Sequence, residues 1–283
     1  MDQGTTNDYF HLFRYYPNLG AAILFIILFA IASIYHSWAF ITTRTWFFAV
    51  FAVGCWFEFV GFIFRAVAAQ ESPNWTVSTY SVHTILVLVA PSVFAASIYM
   101  CLGRIVLVTN GEKYSLVSPR WMTRVFVIGD VISFVMQGAG GGVMASGTSS
   151  ALSLGENIII AGLSVQIWFF SCFVVVSAIF HSKMRRNPTE AALVPSNPWR
   201  SSLYSLYLGS ILIWVRCVFR LIEYAQGNDG YLISHEAFLY VFDALLMFGV
   251  MVLFALVHPS ILNATMHGHG TVFLEKGVFR NQY

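Results

Sequence analysis

Seven long apolar runs, parted by short polar breaks, set the pattern of this chain. They cover residues 19–40, 46–68, 80–108, 121–144, 157–180, 202–224 and 236–261. Each approaches or exceeds the roughly 20 residues that a helix needs to cross the hydrocarbon layer of a bilayer. The breaks carry turn chemistry: Thr42-Thr43-Arg44, Glu71-Ser72-Pro73-Asn74, Thr109-Asn110-Gly111-Glu112, Ser146-Gly147-Thr148 and Gln226-Gly227-Asn228-Asp229-Gly230. The pattern predicts an all-α membrane bundle of seven transmembrane helices. It comprises an N-terminal segment (1–18), the seven-helix domain (19–262) and a polar tail (263–283). The first run is long and lacks a short apolar core with a small-residue cleavage site, so it reads as a permanent span.

Composition agrees with a bilayer-embedded chain. Of 283 residues 58% are hydrophobic and 10% charged, with a mean hydropathy of +0.71. One polytopic domain fits better than two soluble ones. A net charge of +2 without a basic, aromatic-studded stripe gives no support for nucleic-acid binding.

Lysine and arginine set an expected orientation. Arg44, Arg104, Lys113, Arg120, Arg124, Lys183, Arg185, Arg186, Arg200, Lys276 and Arg280 fall on one side, and Arg14 alone on the other. The positive-inside bias places the first side in the cytoplasm, the N-terminus outside and the C-terminus inside. Asn74-Trp75-Thr76 is then a glycosylation sequon in an outer loop. The plasma membrane is preferred to an endomembrane.

Against this background the charges inside the runs stand out. Glu58, Arg65, Asp130, Arg216, Arg220, Glu223, Glu236 and Asp243 lie within apolar runs or at their ends. A charge at the centre of a span costs about 2.5–3.5 kcal/mol on insertion scales, so it persists by pairing, by meeting water or by serving a function. Helical spacing groups them. Glu58 and Arg65 share a face of the second run; Arg216, Arg220 and Glu223 share one on the sixth; Glu236, Tyr240 and Asp243 share one on the seventh. Gln137 follows Asp130 by seven residues on the fourth. With the N-terminus outside, Arg65, His83, Gln137, Arg220, Glu223 and Glu236 fall in the outer half. Glu58, Gln166, Arg216 and Asp243 lie nearer the middle, and Asp130 nearer the inner half. Two readings stay open: buried ion pairs that fix helix register, or an outer polar cavity for a ligand, proton or ion.

Other signals are weaker. Gln137-Gly138-Ala139-Gly140-Gly141-Gly142 ends the fourth run with small residues suited to close helix approach, or to a hinge. Pro91 predicts a kink in the third run, and His258-Pro259 marks the inner end of the seventh. His83 reads as an interfacial histidine or a proton carrier. Cys55, Cys101, Cys172 and Cys217 are dispersed, with no C-x-x-C, and read as packing residues. His267-Gly268-His269 sits in a tail expected to be disordered. No metal site or cofactor is expected, and no G-x-x-x-x-G-K-[ST] loop is present for nucleotide hydrolysis.

Taken in order, these residues resemble the fungal lipid-translocating exporter family, the RTA-like proteins. Glu58-Phe59-Val60-Gly61-Phe62-Ile63-Phe64-Arg65 is similar to the family's E-x-x-G-Y-x-x-R. Ala90-Pro91, Ala95-Ala96-Ser97-Ile98-Tyr99 and Gly103-Arg104 resemble its third-span motif. Asp130 with Gln137-Gly138-Ala139-Gly140-Gly141 resembles its D-x-x-S-x-x-x-Q-x-x-G-G pattern, and Gly162-Leu163 with Gln166 its fifth-span signature. Arg216, Phe219-Arg220 and Glu223 match R-x-x-F-R-x-x-E; Glu236, Tyr240, Asp243 and His258-Pro259 complete the series. The chain departs from the pattern at Phe62, where Tyr is frequent, and at His83, where Gln is expected. The resemblance implies seven spans and roles in amphiphile export, resistance to toxic lipids or drugs, or porphyrin handling.

The leading expectation is therefore translocation of an amphiphilic small molecule, such as a sphingoid base, a sterol-like toxin or a secondary metabolite. Glu223, Glu236 and Asp243 would meet a cationic head, while Arg65, Arg216 and Arg220 hold the unused carboxylates ionised. The alternative is an integral-membrane enzyme, an acid-base cyclase or isomerase on a prenyl or lipid substrate, with Glu58, Asp130 and Asp243 as its acids and bases. A receptor with a cytosolic partner is a third class.

Overall fold

A computed structural model describes residues 15–71, 76–144, 149–195, 197–227, 230–267, 269–274 and 277–282. Asn74 and most of its sequon lie outside the described residues. The expected seven spans are present as Leu19–Thr43, Trp46–Glu71, Ser78–Val108, Trp121–Met144, Ser153–Arg186, Trp199–Ala225 and Glu236–Met266.

Helix α1 (Leu19–Thr43) begins at Asn18, whose side chain accepts the Ala21 amide at 3.1 Å. It ends at Arg44, which adopts a left-handed conformation (φ 52°). The amides of Arg44 and Thr45 return to the carbonyls of Ile41 and Phe40, a Schellman closure made without glycine. The same closure recurs after α3 (Val77–Val108), with Asn110 at φ 49° and Gly111 returning to Val106. These turns let α2 (Ala49–Glu71) and α4 (Pro119–Met144) reverse direction within a few residues.

Helix α5 (Ser149–Arg186) is longer than its apolar run. Its 38 residues span about 57 Å at the helical rise, well beyond the roughly 30 Å hydrocarbon layer. Its polar ends continue the helix where water and headgroups can solvate Glu156, Lys183, Arg185 and Arg186. The short α6 (Glu190–Leu193), capped by Thr189, leads into α7 (Trp199–Ala225).

The seventh span is not one regular helix. It consists of α8 (Glu236–Leu239), a π turn over Tyr240–Ala244, α9 (Leu245–Leu256) and, after His258-Pro259, α10 (Ser260–His267). In the π turn the Leu245 amide reaches the Tyr240 carbonyl, one residue further back than in an α-helix. The tail was expected to be disordered. Instead its backbone pairs as a short hairpin, β1 (His269–Leu274) against β2 (Gly277–Gln282).

Burial follows the lipid-facing logic of a membrane bundle. On α1, Ile23, Ile27, Ile31, Ile34, Trp38 and Ile41 are exposed, while Phe25, Phe29, Ser33, His36 and Ala39 face inward. An aromatic core of Phe29, Phe48, Phe51, Phe62, Phe94 and Phe254 joins the first, second, third and seventh spans. Glycine sets the approach of α4 to α5. A Cβ on Gly140 would stand 2.7 Å from the Gly155 carbonyl, and one on Gly155 would stand 2.5 Å from the Gly140 carbonyl. Gly138, Gly141 and Gly142 face open space. The glycine run therefore serves close packing through one member only.

The start of α1 at Asn18, the ends of α2, α4 and α7, and the start of α8 share one end of the bundle, here termed the N-terminal end.

Candidate functional site: a buried ion network

Arg65 is the hub at the N-terminal end. It is fully buried on α2, about 9 Å short of the helix end at Glu71. Its guanidinium donates to Glu236 Oε1 at 2.7 Å, to the Tyr15 hydroxyl at 2.9 Å and to the Tyr240 hydroxyl at 3.2 Å. Glu236, 14% exposed, also receives the Asn18 amide at 3.0 and 2.9 Å through its two oxygens. One carboxylate thus ties together the start of α1, the end of α2 and the start of the seventh span.

His83 completes this group. Its Nδ1 lies 2.9 Å from the Gly61 carbonyl and its Nε2 3.3 Å from Arg65. A carbonyl only accepts and a guanidinium only donates, so Nδ1 carries the proton and Nε2 offers its lone pair. His83 is thereby a neutral bridge between α2 and α3. Gly61 makes the bridge short: a Cβ there would meet Val87 at 2.9 Å.

Deeper in the bundle, α7 and the π turn build a second group. Arg216 pairs with Asp243 through Nε, and Arg220 pairs with the other oxygen of Asp243. Arg220 also holds Glu223 at 2.8 Å. Arg216 donates at 2.7 Å to the carbonyl of Val87. Asp243 is fully buried and engaged on both oxygens. The widened π turn separates the tasks of the seventh span: Glu236 and Tyr240 face Arg65, while Asp243 faces the arginines of α7. Simple helical spacing put all three on one face and did not foresee that division.

Glu58 lies within Coulomb reach of Asp243, Arg216 and Arg220. It is fully buried, yet neither carboxyl oxygen has a hydrogen-bond partner. Asp130, nearly buried on α4, accepts the Tyr99 hydroxyl at 3.0 Å on one oxygen and has no partner on the other.

Gln137 and Gln166, expected beside these charges, form a separate polar seam. Gln137 donates to Ser133 at 2.7 Å and to Gln166 at 3.1 Å. Ser133 donates to the Gly162 carbonyl, and Gln166 donates to Ser92. This seam joins α3, α4 and α5, and its amides bond to one another and to serines. A further feature had no signal in the sequence. An apolar groove of about 390 Å³ opens between α5 and α7, lined by Val174, Val175, Ile211 and Trp214 with Ser171 and Ser210.

The sequence does not single out Tyr15, Asn18, Ser92 or His36, and it marks Tyr99, Ser133 and His258 only as members of motifs. Tyr15 and Asn18 lie in a polar segment that gave no pattern. Ser92, Ser133 and Tyr99 are ordinary residues of apolar spans. His36 and His258 stack at the opposite end, 6.5 Å apart, with His36 Nε2 donating to the Met251 carbonyl at 3.0 Å. Among the described residues no group of three His, Cys, Asp or Glu is spaced to hold a metal ion.

The chain has clear relatives. The family model described as "RTA1 like protein" matches residues 51–266. Protein RTA1 of Saccharomyces cerevisiae is 34% identical, with 90% of this chain and 86% of that protein covered. The yeast protein named protoporphyrin uptake protein 1 is also 34% identical, covering 89% and 93%. The yeast sphingoid long-chain base transporter RSB1 is 26% identical, covering 86% and 72%. No solved structure matches the chain. The matched region contains every residue of the ion network except Tyr15 and Asn18, and the chain belongs to the RTA1-like family of membrane proteins.

Proposed function

We propose that this protein moves an amphiphile with an amine-bearing polar head between the leaflets of the plasma membrane and outward from the cell. The observation that carries this reading is the set of interior charges, two ion-paired groups that extend from partly exposed Glu236 to fully buried Asp243, with Glu58 buried nearby. Such a set of charges at membrane depth is costly, and its common use is to provide a route for polar groups. Glu223 and Glu236 are the first carboxylates a cationic head would meet; Asp243 follows. Arg65, Arg216 and Arg220 are the partners of these acids while no substrate is present. Here the route is closed, with guanidinium and carboxylate groups in direct contact, so passage requires the pairs to part. The apolar groove between α5 and α7 offers an alkyl tail a place beside the lipid.

The names of two relatives support an amphiphilic substrate, and the sphingoid base supports the amine-bearing head. A sphingoid base and a protoporphyrin are both amphiphiles with polar groups on an apolar body. The N-terminus is taken as extracytoplasmic, on the distribution of lysine and arginine.

The test is expression in a fungal host lacking its own RTA1-like proteins, with untargeted mass spectrometry of cells and medium. Translocation redistributes existing molecules, and Glu223→Gln reduces that redistribution at equal protein level. A new mass or isomer, with unchanged distribution of the others, would replace this reading by membrane-embedded acid-base catalysis.

A further inference from the structure

The interior charges do not balance. Among the described residues the ion network and its surroundings hold three guanidinium groups, Arg65, Arg216 and Arg220, and five carboxyls, Glu58, Asp130, Glu223, Glu236 and Asp243. Glu236, Asp243 and Glu223 each touch an arginine. Glu58 and Asp130 touch none, and they are the two carboxyls with unpartnered oxygens. Two protons on these two groups would bring the interior to neutrality. A buried carboxylate with neither a counter-charge in contact nor a hydrogen bond would be far costlier than a buried acid.

Glu58 is the better placed of the two to gain and lose its proton. It sits well inside the span, 13 residues from Glu71 and nine from Ala49, about 20 Å and about 14 Å from the two ends of α2. On its own helix the titratable neighbour is Cys55. From α7 come Arg216 and Arg220, and from the π turn Asp243. From α3 comes His83, one turn nearer the N-terminal end and already engaged by Gly61 and Arg65. From α1 come the apolar rings of Phe25 and Phe29, against Phe62. Glu58 therefore faces a pair of arginines whose partner, Asp243, is shared between them.

We propose that Glu58 is a proton-binding site that couples amphiphile movement to proton exchange. This rests on the translocation reading above. In the closed state Glu58 is a neutral acid, and Asp243 together with Glu223 neutralises Arg216 and Arg220. When a cationic head reaches Asp243, that carboxylate turns to the head group and releases an arginine. Glu58 then gives its proton to water and pairs with the released guanidinium. One positive charge enters the interior and one leaves, so the buried charge is constant throughout. The substrate class that fits is a primary-amine amphiphile, exchanged for a proton.

The proton site is tested without transport. Purified full-length protein in phosphatidylcholine–phosphatidylglycerol vesicles is examined by infrared difference spectroscopy for protonated-carboxyl carbonyl bands at neutral pH. Wild type shows two such components; Glu58→Gln removes one and Asp130→Asn the other. A spectrum unchanged in folded Glu58→Gln overturns the proposal. Should Glu58→Gln fail to fold, Glu58→Asp keeps an acid, and its band moves with the shorter side chain; an unmoved band overturns the proposal equally. Coupling is then read from chain-labelled fluorescent sphinganine in the same vesicles. Wild type and Glu58→Asp move it faster under a pH difference, and Glu58→Gln loses that dependence. Movement by wild type that ignores the pH difference overturns the coupling. If wild type moves no probe at all, the translocation reading fails, while the infrared band still decides whether Glu58 holds a proton.

Discussion

Arg216 donates to the carbonyl of Val87, the very carbonyl that Pro91 leaves without a helical partner four residues on. Proline has no amide hydrogen, so α3 carries an open acceptor in the bilayer core, and a guanidinium from α7 closes it. The same solution appears at Pro259, where the Ala255 carbonyl receives the Tyr35 hydroxyl at 3.2 Å. In lipid, where water cannot substitute, each missing helical bond calls for a side-chain donor.

Arg216 thus has two acceptors to satisfy, Val87 and Asp243, and removing it orphans the Val87 carbonyl and one oxygen of Asp243. Arg216→Leu is expected to cost about 3–5 kcal/mol, the usual penalty for breaking a buried pair from one side. Arg216→Lys should recover only part of this, since an ammonium lacks the planar fork that reaches two acceptors at once. The double variant Arg216→Leu/Asp243→Leu should be less damaging than the two single losses added together. Thermal unfolding of detergent-purified protein, with Asp243→Leu alone included, measures all four variants. Simple additivity would show that the pair is not coupled.

His83 tests a different feature, the donor-and-acceptor bridge between Gly61 and Arg65. Glutamine also presents both a donor group and an acceptor, so His83→Gln should stay within about 1 kcal/mol of wild type. His83→Leu supplies neither. It should lose about 1–3 kcal/mol, the cost of a buried polar group without its partner. Equal stability for the two variants would mean that the ring matters for its volume alone.

The seven spans were legible because length and hydropathy suffice to define them, and the ion pairs were foreshadowed by helical spacing. The pairing scheme was not. Spacing puts Glu58 and Arg65 on one face of α2, yet Arg65 turns to Glu236 and Tyr15 while Glu58 turns to α7. The π turn at Tyr240–Ala244 is invisible in a sequence whose apolar pattern runs through it unbroken. Gln137 and Gln166 resembled lining residues because polar amides in apolar spans are rare, but they find each other and two serines instead. Proline was the better guide: the residue four before Pro91 or Pro259 marks where a donor is needed.

The glycine run on α4 yields a contrast within one motif. Gly140→Ala should cost about 1–3 kcal/mol, the range for overpacking a tight contact, because a Cβ would press on the Gly155 backbone. Gly138→Ala and Gly141→Ala meet open space and should be neutral or stabilising by up to about 1 kcal/mol through helix propensity. Thermal unfolding of the three variants separates packing from hinging. A hinge would instead make Gly138→Ala and Gly141→Ala slow substrate movement without lowering stability.

Orientation can be read by labelling, because the native thiols leave a quiet background. Cys55, Cys101 and Cys217 are buried in the bundle and Cys172 is partly buried. Tyr231, 64% exposed between α7 and α8, and Leu116, 56% exposed between α3 and α4, lie at opposite ends. With the N-terminus outside, Tyr231→Cys reacts with a membrane-impermeant maleimide on intact cells, and Leu116→Cys reacts only after permeabilisation. The Asn74 sequon falls in sequence between α2 and α3, so with the N-terminus outside, glycosidase treatment should shift the mobility of wild type and leave Asn74→Gln unchanged. Labelling of Leu116→Cys on intact cells would invert the bundle. Glu236 would then open toward the cytoplasm, and the direction proposed for the amphiphile would reverse with it.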